Sequence, residues 1–419
     1  MAFSLPENDV DLDALFDRFH KPTNPIFKER DKLRSTYVPD SLPHRNREIT
    51  QLAQILGPIM AGGTPSNAFL YGKPGSGKTA TTKLVLNTLT RKAKEVGIAF
   101  KYAYINNSLV DTDYRVYVSL CDVVGVDAPP TGLPTDEVIN RFTKAVEEKG
   151  VMLVIILDEI DLLMKKSTKA LYGLTRMNTD LDHAKISLVG ITNSVNFKDT
   201  IDARVRSTLT EQEIVFAPYN ATQLQDILRE RAEEGFEDGI VSEAALKKAA
   251  AMAASEHGDA RRALDLLRVA GETAENSGDS KVEIRHVDEA NQIIERNTVR
   301  EVVLTLPTHS KIVLLSILYL DNNLSSGEYI NTGDTFEAYV KLCKTIGYAD
   351  LTQRRVGDLI NELDVLGMIR ANVVSKGRYG RTRVINLDTN PHEIFEVLKT
   401  DAIVKEIIED IGETKFISF

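Results

Sequence analysis

The stretch Gly72, Lys73, Pro74, Gly75, Ser76, Gly77, Lys78, Thr79 follows an apolar run, Ala68 to Tyr71, and opens a helical pattern at Ala80. Glycines at these spacings let backbone N–H groups wrap phosphate oxygens, and the start of the helix adds its positive end. Lys78 is expected to reach the β and γ phosphates, and Thr79 to set its hydroxyl on Mg2+. The predicted ligand is ATP or ADP. A second apolar run, Val151 to Leu157, ends in Asp158 and Glu159. From the end of a buried strand, Asp158 can hold magnesium through water while Glu159 polarises the water that attacks the γ-phosphate. The plainer alternative for this pair is a helix cap, and Asp161 is assigned only to capping or pairing.

A third apolar run, Ile186 to Ile191, leads to Asn193, either a turn residue or an amide that orients the lytic water. Arg204 and Arg206 follow, placed either as a finger for a neighbouring subunit's site or as partners in surface salt bridges. Arg261 and Arg262 open a later helix, where a guanidinium could report the presence of γ-phosphate.

The elements that must carry these groups are legible as pattern. Residues 1–40 are polar and proline-punctuated and read as an N-terminal arm. From 41 to 218, short apolar runs, including Tyr102 to Ile105, alternate with amphipathic stretches, which predicts an α/β nucleotide-binding domain with a parallel sheet. Residues 219–297 lack strand runs and are rich in Ala, Leu, Glu and Arg, as expected for a small helical domain. Three helical patterns and a hairpin pattern fill 298–400, and 401–419 read as an acidic tail.

Composition limits the function. With 42% hydrophobic and 27% charged residues, a chain of 419 residues can bury more than one core. No apolar run approaches the length of a membrane span and no signal-peptide pattern is present, so a cytoplasmic, nucleoid-associated protein without membrane contact is expected. Two distant cysteines, Cys121 and Cys343, exclude a cysteine-rich zinc site. A net charge of −10 argues against indiscriminate coating of nucleic acid, so any DNA contact must come from local patches.

The order of the motifs resembles the AAA+ ATPases. More narrowly, "YVPDSLPHR", "LDEID", "FKDTIDARVRSTL", "GDARRALDLLRVA", "LTQRRVGDLINELDVLGMI" and "SKGRYGRTR" resemble the archaeal replication initiators of the origin recognition complex and cell division control family. The resemblance implies an AAA+ P-loop core with a helical lid and a C-terminal winged helix. It makes Arg204 the finger and Arg261 the arginine that senses nucleotide from the lid, and it places Val38 and Pro39 against the adenine. It implies a slow ATPase acting as a switch. The implied partners are double-stranded origin DNA, the MCM helicase and other initiator subunits. It also puts an extra, DNA-touching helix at "DTDYRVYVSLCDVVG", where Arg115 is the one cation.

In the third helix of the C-terminal module, Val356, Leu359, Ile360, Leu363 and Leu366 recur at helical spacing and are expected to face the core. Arg354 and Arg355 then stand at the helix N-terminus, the part of a recognition helix that meets base edges or phosphates. The hairpin tip carries Lys376, Arg378, Arg381 and Arg383 with Tyr379, a wing able to hold phosphates or enter a minor groove. Such modules also bind proteins, and such loops are sometimes only solvated. The function expected is an ATP-dependent replication initiator. The alternatives are an ATP-gated transcription regulator, a paralogue that regulates other initiators, and a clamp-loader-like ATPase, which the winged helix disfavours.

Overall fold

The computed structural model describes residues 25–166, 169–194, 212–324, 329–375 and 381–417. The chain divides into two units between Ala290 and Asn291. In the first, α1 (Asn46–Leu56) precedes β1 (Ala68–Gly72), α2 (Lys78–Glu95), β2 (Phe100–Asn106), α3 (Asp113–Val124), α4 (Thr135–Lys149) and β3 (Met152–Asp158). Then come α5 (Ile160–Lys166), α6 (Lys169–Arg176), β4 (Lys185–Thr192) and β5 (Gln212–Phe216).

The five strands form one sheet in the order β2-β3-β4-β1-β5, every pair parallel. Every residue of β3 is buried, as a parallel sheet requires when helices cover both faces. Leu153, Ile155 and Leu157 pack with Val116, Leu120, Phe142 and Val146 of α3 and α4. On the other face Val154 and Ile156 pack with Leu52 and Leu56 of α1 and Val85 and Leu86 of α2. Because β4 lies between β1 and β3, its end is flanked by the glycine-rich loop on one side and by Asp158 on the other.

Three helices follow: α7 (Ala221–Gly235), α8 (Glu243–Ser255) and α9 (Ala260–Ser277). The described end of the arm packs onto them. Ile26 and Leu33 are fully buried, and Phe27 stacks on Phe236 with ring centroids 4.8 Å apart. Arg231 of α7 donates to the carbonyls of Lys32 (3.0 Å) and Tyr37 (3.3 Å).

Helix α10 (Ile284–Thr305) crosses the boundary between the units. In the second unit come α11 (Thr308–Asn322), β6 (Ile330–Asn331), α12 (Thr332–Thr345), α13 (Gln353–Val365), β7 (Ile369–Ser375), β8 (Arg381–Leu387), α14 (Pro391–Leu398) and α15 (Ala402–Ile411). The strands make an antiparallel sheet in the order β6-β8-β7, and the β7–β8 pairing runs out to Ser375 opposite Arg381.

The structure departs from the sequence reading at several points. Strands β5 and β6 were not anticipated. The stretch 401–419, read as an acidic tail, supplies Val404, Ile407, Ile408 and Phe416 to the second core. Leu366 does not face that core: it caps the end of α13 and is 45% exposed. Among the described residues no helix is long and apolar enough to cross a membrane. Cys121 and Cys343 are buried and free.

Candidate nucleotide site and nucleic-acid interface

The glycine-rich loop leaves β1 at Gly72 and enters α2 at Lys78, with Gly77 as its cap in left-handed backbone at φ 90°. Gly75 is also left-handed, at φ 65°, and a Cβ there would fall 1.7 Å from the Asp259 carboxylate. No side chain fits both demands. This close approach brings the start of α9 onto the loop, where the Ala260 N–H donates to the Gly75 carbonyl at 3.2 Å.

Lys78 is buried, 5% exposed. Its Nζ donates to the carbonyls of Gly72 (2.8 Å) and Lys73 (2.9 Å) and to Asn193 Oδ1 (2.9 Å). Burial pushes its pKa down to about 8, Asp158 opposes that shift, and Arg261 adds to it. Ringed by neutral oxygens in a desolvated cleft, this ammonium suits an anionic ligand.

Asp158 is gripped at both carboxylate oxygens. Oδ1 accepts from the Glu159 N–H at 2.9 Å, and Oδ2 accepts from Thr79 Oγ1 (2.8 Å) and from the Tyr104 hydroxyl (2.6 Å). Burial, then the hydrogen bond to Asp158, raises the Tyr104 pKa, so the phenol stays a donor. Its neighbour Glu159 takes φ 55°, a conformation costing a non-glycine residue about 1–3 kcal/mol and concentrated at functional sites. A hydroxyl and a carboxylate in contact beside the phosphate loop are hard oxygen donors, the chemistry that suits Mg2+.

Asn193 is positioned from behind. Thr192 Oγ1 donates to Asp161 at 2.6 Å and accepts from the Ser194 N–H at 3.1 Å, which fixes the turn around the amide. Asp161 therefore pairs, as expected.

The two lid arginines separate by geometry. Asp259 caps α9 by accepting from the N–H groups of Arg261 (2.7 Å) and Arg262 (3.4 Å). The Arg262 guanidinium is engaged by Glu256 at 2.9 Å, whereas Arg261 lines the cleft.

The cleft encloses about 360 Å³ and brings together Val38, Pro39, Gly75, Gly77, Lys78, Thr79, Ala80, Asp158, Glu159, Asn193 and Arg261. That volume lies within the range of small-molecule sites. Tyr37, Ile227 and Leu264 add apolar surface to its lining. Gly72, Lys73, Pro74 and Ser76 are not in its lining: Gly72 and Lys73 act through their carbonyls, and Ser76 is fully buried. Arg204 and Arg206 lie outside the described residues.

One structural member of the site escaped the sequence reading. Arg45, 3% exposed, donates to the Ser76 carbonyl (2.9 Å), the Tyr219 hydroxyl (2.9 Å) and the Ala217 carbonyl (2.6 Å), and pairs with Glu48. It ties the phosphate loop to the chain leaving β5. Within "YVPDSLPHR" nothing marks it as buried, because three of its acceptors, Ser76, Ala217 and Tyr219, are more than 30 residues away in sequence.

In the second unit Val356, Leu359, Ile360 and Leu363 bury one face of α13. Arg354 and Arg355 stand exposed at its start, where Thr352 caps the Arg355 N–H. Asp358 and Glu362 lie 3.8 Å from the Arg355 guanidinium, so Arg354 is the less encumbered charge. Arg383 of β8 donates to Asn361 of α13, tying hairpin to helix. Lys376, Arg378 and Tyr379 lie outside the described residues, as does the side chain of Arg381. Arg115 is exposed on α3, whose other face is in the first core.

The buried lysine has a measurable signature. Its folded pKa of about 8 lies below the ordinary 10.5, so the stability conferred by its neutral form is present above the unfolded value and lost as pH falls through about 8. In nucleotide-free, metal-free buffer, Lys78→Met should be more stable than the parent at pH 7, and the difference should shrink from about pH 8 to 10. Denaturant unfolding of both proteins across pH checks this; parallel curves would contradict it.

Comparison with known proteins covers nearly the whole chain. Residues 41–189 match the AAA ATPase domain, 225–292 the Cdc6 AAA+ ATPase-type lid domain and 301–397 the Cdc6 C-terminal winged helix domain. The ORC1-type DNA replication protein of Pyrococcus furiosus is 48% identical over 408 residues, 96% of each chain. The ORC1-type DNA replication protein 1 of Archaeoglobus fulgidus is 48% identical over 390 residues, 93% of this chain and 95% of that one. The structure of the Aeropyrum pernix ORC1 protein in complex with DNA superposes with a TM-score of 0.83 at 46% identity, covering 91% of this chain and 99% of that one. The chain thus belongs to the ORC1-type DNA replication proteins, an AAA+ family with a Cdc6-type lid and a C-terminal winged helix.

Proposed function

We propose that this protein is an ATP-dependent initiator of DNA replication that binds double-stranded origin DNA through its winged helix and AAA+ domain and helps recruit or load the MCM helicase. The observation that carries the nucleotide half of this reading is the Lys78 ammonium held by neutral oxygens, 2.9 Å from Asn193. The DNA half rests on the basic start of α13 and the hairpin beside it, in a relative of a protein whose structure was solved with DNA.

The residues divide the work. Backbone N–H groups of the loop Gly72–Thr79 and Lys78 receive the phosphates, and Val38 and Pro39 pack on the base. Thr79 and Asp158 would hold magnesium, which when bound would neutralise charge on the phosphate oxygens. Glu159 polarises the attacking water, and Asn193 orients it. Arg261 senses γ-phosphate from the lid, and Arg204 acts on a neighbouring subunit's site. Hydrolysis is slow and serves as a switch. Arg354, Arg355, Lys376, Arg378, Arg381 and Arg383 contact DNA.

Ground-state and reaction roles separate by substitution. Lys78→Ala should abolish nucleotide binding, because Lys78 meets the phosphates before reaction, whereas Glu159→Gln should bind normally and fail to hydrolyse. Nucleotide affinity and single-turnover hydrolysis measured on both variants check this; wild-type hydrolysis by Glu159→Gln would remove it from the catalytic set.

Footprinting on genomic fragments in ATP and in ADP should reveal a repeated protected element at a replication origin; scattered promoters would favour the regulator. On that element, each phosphate held by the wing contributes about 0.9 to the slope of log affinity against log salt. Replacing Arg378, Arg381 and Arg383 together with Ala should flatten the slope by roughly two to three units. Parallel salt lines would show that the hairpin does not hold DNA.

A further inference from the structure

Asp158 is restrained by more than the residues assigned to it so far. Its backbone carbonyl accepts from Asn107 twice, from the main-chain N–H (2.9 Å) and from Nδ2 (2.8 Å). Its Oδ2 accepts from Thr79 and, at the shorter distance of 2.6 Å, from Tyr104. Tyr104 sits on β2 opposite Ile156, while Asp158 lies opposite Asn106. Residues two apart on a strand share a face, so the phenol leans along β3 toward the carboxylate. The ring lines the nucleotide cleft, with Lys83 Nζ of α2 4.8 Å from its centroid.

The Thr79 hydroxyl has one proton to donate. Its lone pairs are what a cation would take, so the same hydroxyl can face the metal and still donate to Asp158 Oδ2. Among the described residues, Tyr104 is the one side-chain donor on that oxygen that is not itself assigned to the metal. We propose that Tyr104 is a positioning residue: its hydroxyl holds the Asp158 carboxylate oriented for the magnesium–nucleotide complex, without itself touching metal or nucleotide. This rests on the reading of Thr79 and Asp158 as the magnesium-holding pair. Its consequence is specific, because removal of the hydroxyl should weaken only the part of nucleotide affinity that magnesium supplies.

The test measures binding of a fluorescent non-hydrolysable ATP analogue, in Mg2+ and in EDTA, to the full-length chain and its Tyr104→Phe and Tyr104→Leu variants. The parent should bind more tightly in Mg2+. Tyr104→Phe should match the parent within about twofold in EDTA yet lose roughly fivefold of the magnesium-dependent gain. Tyr104→Leu should lose the same gain. Tyr104→Phe keeps the ring and its packing, so unchanged EDTA affinity also reports an intact fold.

A Tyr104→Phe variant with the full magnesium gain overturns the proposal. So does an equal loss in both buffers, which would mean that Tyr104 shapes the cleft, and so does a loss confined to Tyr104→Leu, which would assign the effect to ring packing. A parent that shows no magnesium gain overturns the reading of Thr79 and Asp158 and the proposal with it.

Discussion

A charged ammonium buried among neutral oxygens is the constraint on which the first unit is built. Lys78 gives up most of its hydration and takes in exchange two loop carbonyls and one amide oxygen. Desolvation of an ammonium disfavours the charged form, and the depressed pKa is its consequence. The surroundings keep the cleft receptive to an anion instead of neutralising the lysine with a direct carboxylate partner. Asp158 is engaged by Thr79 and Tyr104, and Asp259 by the backbone of α9. The strand order supplies the remaining contact, because β4 between β1 and β3 sets Asn193 between the phosphate loop and Asp158. Arg45 holds the same loop at the Ser76 carbonyl.

The second unit solves a different electrostatic problem. In a chain of net charge −10, affinity for a polyanion has to be concentrated in a small area. The apolar face of α13 is committed to the core, which turns its N-terminal arginines outward. The contact from Arg383 to Asn361 couples the hairpin to the same helix. Acidic residues farther along α13 draw on Arg355, which leaves the basic surface biased toward Arg354 and the hairpin.

Much of this was legible because phosphate chemistry constrains sequence tightly. Glycines needing positive φ, a lysine and a hydroxyl in fixed order, and a fully apolar strand ending in carboxylates have few other uses, and the structure brings Lys78, Thr79, Asp158, Glu159, Asn193 and Arg261 to one cleft. What escaped was mostly edge or long-range structure. Strand β5 lies at the sheet edge, with exposed Glu213 and Val215 alternating with buried Ile214 and Phe216, so it lacks the apolar run of β1. Strand β6 has two residues, too few for any periodicity. In 401–419 the spacing of Val404, Ile407 and Ile408 is that of one helix face, but intervening acidic residues concealed it. Arg45 and Tyr104 could not be singled out, since their roles arise from partners brought near by folding. The preference for Arg261 over Arg262 rests on resemblance; in the structure Glu256 engages Arg262 and Arg261 lines the cleft.

An anionic ligand should recharge the buried lysine around which the cleft is organised, and proton uptake on nucleotide binding reads that recharging. Titration calorimetry of ADP into the protein in EDTA at about pH 9, repeated in buffers of different ionisation enthalpy, counts protons taken up. With a free pKa of about 8 at Lys78, most molecules begin with the lysine neutral, and binding should take up close to one proton from solution. Binding with no net proton exchange at that pH would contradict the account, because Lys78 would then have been fully charged, and adequately solvated, before the nucleotide arrived.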